Sequence, residues 1–172
     1  MILIHSALQC EAQIFIEKLK LRKISSNPKI FANNSHIVLI SGIGKENTVS
    51  ALTNLFNSHK IDRAINIGIA GCNDFEVSIG SCFCTTPYPK EFEYLPLITS
   101  NSVVNSTNEI YGCLYDMEGK YFLDVVSNYL NGEKIYIFKV VSDHLDCKKI
   151  TKEFVKTLMV QNYNQLEKYF TI

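Results

Sequence analysis

Two apolar runs, 36–40 and 64–67, each end in glycine: Ser41-Gly42-Ile43-Gly44 follows the first, and Gly68, then Gly71, follow the second. Between them Val49, Leu52, Leu55 and Phe56 share one helical face. Strand, glycine turn, helix, strand, glycine turn is the rhythm of an α/β sheet with parallel neighbours. The same rhythm extends both ways. Ile2, Leu3 and Ile4 form a short buried strand, and Ile14, Phe15, Leu19 and Leu21 follow at near-helical spacing. Residues 134–141 are apolar on both faces, as a central strand requires. Met117, Tyr121, Phe122, Val125, Val126 and Tyr129 make a helical stripe that stops at Asn131-Gly132. A last helix is expected over about 148–169, with Phe154, Leu158, Met159 and Leu166 inward. The middle reads as strands near 29–32, 78–85 and 95–100, with loops over 86–93 and 101–108. The expected fold is a three-layer α/β/α sandwich with a twisted, mostly parallel mixed sheet. At 172 residues the chain suits one domain, 1–172.

Charge narrows the function classes. Lys plus Arg number 17 and Asp plus Glu number 17, so the formal charge is zero. That argues against a nucleic-acid or polybasic membrane-surface partner. No apolar run reaches the roughly 18–20 residues of a spanning helix. The start of the chain lacks the length and flanking charge of a signal peptide, so a cytoplasmic protein is expected.

The cysteines at 10, 72, 82, 84, 113 and 147 form no CxxC pair and no zinc-type spacing. Cys82 and Cys84 share a strand face, which suits either a metal or, more simply, buried thiols. His144, Asp146 and Cys147 are too unspecific in spacing to define a metal site. No metal and no cofactor is expected.

In open α/β sheets ligands bind beyond the carboxyl ends of the strands. Those ends carry Ala7-Leu8-Gln9-Cys10-Glu11, Ser41-Gly42-Ile43-Gly44-Lys45, Gly68-Ile69-Ala70-Gly71 and Val141-Ser142-Asp143-His144. Asp116-Met117-Glu118-Gly119 opens the helix before the last strand. The Gly42-Ile43-Gly44 turn fits a phosphate cradle or a plain tight turn. It is no Walker motif, because Leu39 and Glu46 occupy two of its required positions, and Asn47 breaks the GxGxxG pattern. Glu11, Glu118 and Asp143 are each readable as helix-start acids favoured by the dipole. Three on one sheet edge also form a set whose acid and base roles separated pKa values would divide.

Together these segments resemble the nucleoside phosphorylase and nucleosidase superfamily, above all 5′-methylthioadenosine/S-adenosylhomocysteine nucleosidases and futalosine hydrolases. Ser41-Gly42-Ile43-Gly44-Lys45, Met117-Glu118-Gly119 and Ser142-Asp143 match the family pattern directly. Ala7-Leu8-Gln9-Cys10-Glu11 is similar to its Ala-Met-Glu-Glu-Glu, and Asn66-Ile67-Gly68-Ile69-Ala70-Gly71 to its Asn-Thr-Gly-Ser-Ala-Gly. The resemblance implies hydrolysis of the N-glycosidic bond of a purine-type nucleoside, such as methylthioadenosine, adenosylhomocysteine or a futalosine-like compound. Asp143 would protonate the base at N7, Glu11 would activate water, and Glu118 would hold the ribose hydroxyls beside Met117. Leu8, Ala70, Gly71, Ser142 and Lys139 would complete the substrate site, with Val103 and Val104 walling the base. A homodimer is implied as well.

The departures from the family are specific. Ile69 stands where the nucleosidases carry a serine near the water, and Lys139 where they carry arginine. The chain is several dozen residues shorter, mainly between Phe83 and Leu97 and before Asp116. The phosphorylases' Gly-Asp-Pro-x-Arg segment and the arginine at the place of Asn66 are missing, which favours hydrolysis over phosphorolysis. A non-catalytic nucleoside-binding relative and a phosphorylase stay open as alternatives.

Overall fold

The computed structural model describes residues 1–107 and 112–171, so the end of the 101–108 loop lies outside the described residues. Strands β1 (Ile2–Ser6), β4 (His36–Ile40), β5 (Arg63–Cys72) and β9 (Ile135–Asp143) form the middle of a nine-stranded sheet. Strand β1 lies between β4 and β5, and β9 flanks β5 on its other side, all parallel. An antiparallel hairpin, β2 (Arg22–Ser26) and β3 (Lys29–Ala32), extends one edge through β4. Strand β6 (Cys82–Cys84) pairs antiparallel with β9, and β7 (Leu97–Thr99) runs parallel to β8 (Leu114–Asp116).

Alternation along the central strands sorts the core into two layers. Ile2, Ile4, Val38, Ile40, Ile65, Ile67, Phe138 and Val140 face helices α1 (Gln9–Lys18) and α4 (Lys152–Phe170). Leu3, Ile37, Leu39, Ala64, Ile135 and Ile137 face α2 (Lys45–Ser58) and α3 (Gly119–Val126). The architecture is therefore helix layer, mixed sheet, helix layer.

Several elements differ from the sequence reading: the strand expected over 78–85 is only Cys82–Cys84, that over 95–100 only Leu97–Thr99, and the helix expected to reach Tyr129 ends at Val126. Helix α1 stops at Lys18, and Lys20 turns the chain at a φ of 53°, so Leu21 enters the core from beyond the helix. The last helix begins only at Lys152, after a 3-10 turn at Cys147–Lys149, where Thr151 Oγ1 accepts the Phe154 N–H at 3.2 Å. Strands β2 and β8 went unread: the first is a mostly exposed Arg-Lys-Ile-Ser-Ser edge, the second only three residues long.

The position of the site follows from β5. Its first residues pair with β1, but β1 ends opposite Asn66, and β8 takes up the same edge only at Gly71 and Cys72. Between the two, β5 presents backbone groups that no strand among the described residues receives on that edge. Ser6 Oγ donates to the Ile67 carbonyl at 2.8 Å, and the Ile69 N–H donates to Glu11 Oε1 at 3.0 Å. Side chains thus complete what the sheet leaves open, as buried backbone groups require.

Candidate active site

A cavity of about 170 Å³ opens beyond this split edge. Glu11, Glu118 and Asp143 all line it, with Leu8, Gly71, Val103, Val104, Met117 and Ser142. Ala70 and Lys139 do not. Ala70 is buried behind the wall, its carbonyl 3.2 Å from Ser142 Oγ, and Lys139 is buried at 2% exposure beneath the floor.

Each acid is placed by its local fold. Glu11 is the third residue of α1, and its Oε2 accepts the Leu8 N–H at 2.8 Å, one half of a capping box. Its other oxygen takes the Ile69 N–H, which ties the helix start to β5. Gly68 makes this possible, because a Cβ there would sit 2.7 Å from Glu11 Oε1. Burial drives the Glu11 carboxyl up to about 7, although the Lys139 ammonium and the two N–H donors pull the other way.

Glu118 Oε1 accepts the Gly44 N–H at 2.8 Å. Gly44 and Gly42 hold φ near 90°, which favours glycine, and the turn donates this N–H to a carboxylate of the protein itself. Burial raises the Glu118 pKa too, against the pull of Lys139 and the Gly44 N–H.

Asp143 ends β9. Register slips there, Ala70 opposing Val141 and Gly71 opposing Asp143, so Ser142 is the extra residue of a bulge. Bulges re-aim side chains at strand ends. Ser142 Oγ donates to Asp143 Oδ2 at 2.6 Å. A Cβ on Gly71 would lie 3.3 Å from Asp143 Oδ1 and 3.1 Å from a Leu145 methyl, so glycine keeps this corner open.

Under the floor, Lys139 Nζ lies 2.7 Å from Asp116 Oδ2, both side chains at 2% exposure or less. Thr99 Oγ1 at 2.6 Å and the Gly119 N–H at 2.7 Å complete the Asp116 carboxylate. Burial alone would lower the lysine pKa, but Asp116, Glu118 and Glu11 together raise it, so Lys139 remains an ammonium among three carboxyls. Among the described residues no group of three or more His, Cys, Asp or Glu side chains is arranged to hold a metal. Cys82 and Cys84 lie in the core facing α4, and burial raises both thiols.

No protein-family profile and no curated protein sequence matches the chain. Solved structures do match in shape. The 5′-methylthioadenosine/S-adenosylhomocysteine nucleosidase of Colwellia psychrerythraea 34H, in complex with adenine, aligns with a TM-score of 0.80 at 14% identity, over 98% of this chain and 93% of that one. The futalosine hydrolase of Helicobacter pylori strain 26695 aligns at 0.78 and 15%, over 98% and 96%. The nucleosidase of Neisseria meningitidis, in complex with methylthio-immucillin-A, aligns at 0.78 and 15%, over 98% and 97%.

The chain has the nucleoside phosphorylase fold. Within this fold, sequence reasoning passed over Asp116 and His5. Asp116 enters the sequence reading only as part of a helix start, yet it lines the cavity and its Oδ2 accepts the Gly119 N–H. His5 is fully buried and stacks on Phe122 with ring centroids 5.4 Å apart. Asn66 Nδ2 lies 2.7 Å from its Nδ1, and Ser41 Oγ 2.9 Å from its Nε2. Desolvation, then the nearby Lys139 charge, lower its pKa to about 3. The available signal was a histidine at the end of the apolar run Ile2-Leu3-Ile4; its place opposite Asn66 is seen only in the structure.

Proposed function

We propose that the protein hydrolyses the N-glycosidic bond of a purine-type nucleoside. The observation that carries this reading is the convergence of Glu11, Glu118 and Asp143 on one cavity at the carboxyl edge of the sheet. Cleaving that bond leaves positive charge on the sugar and negative charge on the base. An acid at the base and carboxylates at the sugar stabilise both.

In this reading Asp143 donates the proton to N7 of the departing base, with Ser142 orienting its carboxyl. Val103 and Val104 wall the base, and Glu118 accepts from the 2′ and 3′ hydroxyls beside Met117. Glu11 takes the proton of the attacking water. A carboxyl held near 7 is matched to that task, since a general base works best with a pKa near the operating pH. Lys139 acts from below the floor, holding negative charge on the acids around it. Asn66 hydrogen-bonds His5 and leaves no phosphate clamp at its position, which supports water as the nucleophile. Ile69, at the cavity wall, narrows the place of the water and bears on which nucleoside is accepted. We also propose a homodimer, tested by light scattering at micromolar concentration.

The test is release of free base from methylthioadenosine, adenosylhomocysteine, adenosine, inosine and a futalosine-type nucleoside, followed by mass spectrometry with and without phosphate. Phosphate-independent base and free sugar are expected. No base from any of them would sink the hydrolase reading, and a sugar 1-phosphate product would replace it with phosphorolysis.

A further inference from the structure

A second cavity, of about 590 Å³, adjoins the first and shares Ala7 and Leu8 with it. Among the described residues its lining contains Lys29, Lys152 and Lys156 and no acidic residue, although the whole chain is formally neutral. Among the described residues Lys29 and Lys152 make no ion pair. Lys29 Nζ donates instead to Gln9 Oε1 at 2.8 Å, a neutral acceptor. Lys156 pairs with Glu153, but Glu153 is 81% exposed and stands outside the lining. Lys152 is the first residue of α4, where the helix dipole opposes positive charge, and Lys156 lies one turn further on. Lys29 and Lys152 are exposed and Lys156 is 42% exposed, so water solvates all three, and an anion entering the concavity meets three ammonium groups of which one carboxylate, Glu153, offsets only one.

Size points the same way. At about 170 Å³ the first cavity is smaller than the roughly 300–1,000 Å³ of typical small-molecule sites. The second cavity supplies the missing volume. The pose of the nucleosidase reading assigns which end of a ligand reaches it. With the base at Asp143 and the ribose hydroxyls at Glu118, the remaining sugar substituent, at the 5′ carbon, is left to Ala7, Leu8 and Ile43. Ala7 and Leu8 are the shared wall, and Gly42, next to Ile43, lines the second cavity.

We propose that the second cavity is an anion subsite, taking a phosphate group carried on the 5′ side of the nucleoside. The inference rests on the nucleosidase reading above and narrows its substrate to nucleosides with an acidic 5′ arm. Lys29, Lys152 and Lys156 meet the phosphate as point charges, and Gln9, Gln13 and Ser26 stand around it as neutral hydrogen-bonding groups.

Calorimetric titration tests this with adenosine 5′-monophosphate, adenosine and pyrophosphate as probes. It is done in the Asp143→Asn background, so that base release does not consume them. Adenosine 5′-monophosphate should bind about tenfold tighter than adenosine or better. Combined Lys29→Gln, Lys152→Gln and Lys156→Gln should lower the ratio of the two affinities by about tenfold, and salt should erode it. Circular dichroism checks that the triple variant is folded. Adenosine binding with no gain from the phosphate would overturn this proposal and leave the nucleosidase reading standing. An advantage that survives in the triple variant would overturn it too. Pyrophosphate held through the lysines, with neither nucleoside bound, would overturn the link between the cavities and the nucleosidase reading together.

Discussion

Replacing Lys139 by methionine removes the buried ammonium from a cluster of three carboxyls and keeps the side-chain length. Lys139 and Asp116 are 2% and 1% exposed and 2.7 Å apart, so neither charge has water to fall back on. Asp116 would keep Thr99 Oγ1 and the Gly119 N–H, two donors but no charge. Breaking a buried pair by removing one partner costs about 3–5 kcal/mol. For a chain of this size each kcal/mol shifts Tm by roughly 2–4 °C, which gives a fall of roughly 6–20 °C. The deficit should shrink as pH falls, because protonating Glu11 and Glu118, whose pKa burial already raises against the pull of Lys139, relieves the repulsion the lysine offsets. Glu11 should titrate higher than its present value of about 7, since Lys139 now holds it down. Urea unfolding between pH 5 and 8 reads the first effect, and the acidic limb of the base-release profile reads the second. A loss below about 1 kcal/mol at neutral pH, or one indifferent to pH, would refute the idea that this pair carries the floor of the site.

Gly68→Ala places a methyl 2.7 Å from Glu11 Oε1, so Glu11 must leave its seat; base release should fall at least tenfold, and wild-type rates would show the contact is unimportant. His5, with a native pKa near 3 against 6.5 unfolded, is protonated first in the unfolded chain, so its contribution is present above pH 6.5 and lost as pH falls towards 3. The ceiling on that loss is about 5 kcal/mol, and His5→Phe should flatten the acid limb of stability in urea melts. Asp143→Asn should lower kcat by on the order of 10²–10⁴-fold while nucleoside affinity changes little; a wild-type-like kcat would remove Asp143 as the acid.

The layering of the core was legible because β1, β4, β5 and β9 are apolar on both faces, as strands between two helix layers must be, and the glycine turns marked where strands pass into helices. Strand β2 was hidden because its residues are polar and exposed: edge pairing comes from backbone groups that leave no hydrophobic period. The three acids were legible from their places at element ends. Lys139 was legible as a residue but not in its setting. In a strand with both faces buried, nothing in the local sequence says that a lysine will lie under a cavity floor rather than in its wall. Its partner Asp116 lies 23 positions earlier, on a three-residue strand that the pattern does not announce. Such a pair is created by register between distant segments, and register is tertiary information.

Glu11 unites the two readings that the sequence held apart. An acid at the third position of a helix is ordinarily a cap, favoured by the dipole and by the N–H it accepts. Both effects stabilise the charged form and lower the pKa, and on an exposed helix they would make Glu11 a plain carboxylate. Here the same carboxyl still accepts the Leu8 N–H, yet it stands near 7, so burial outweighs every stabilising contact. That burial depends on the gap between β1 and β8, on the missing side chain of Gly68 and on the Ile69 N–H that binds the second oxygen. The cap positions the group and the split sheet sets its basicity. Opening the burial while keeping the cap, for example with Ile69→Ala to admit water, should therefore lower the Glu11 pKa. The acidic limb of any base-release profile should move down with it; a limb that stays in place would mean that burial does not set the pKa of this carboxyl.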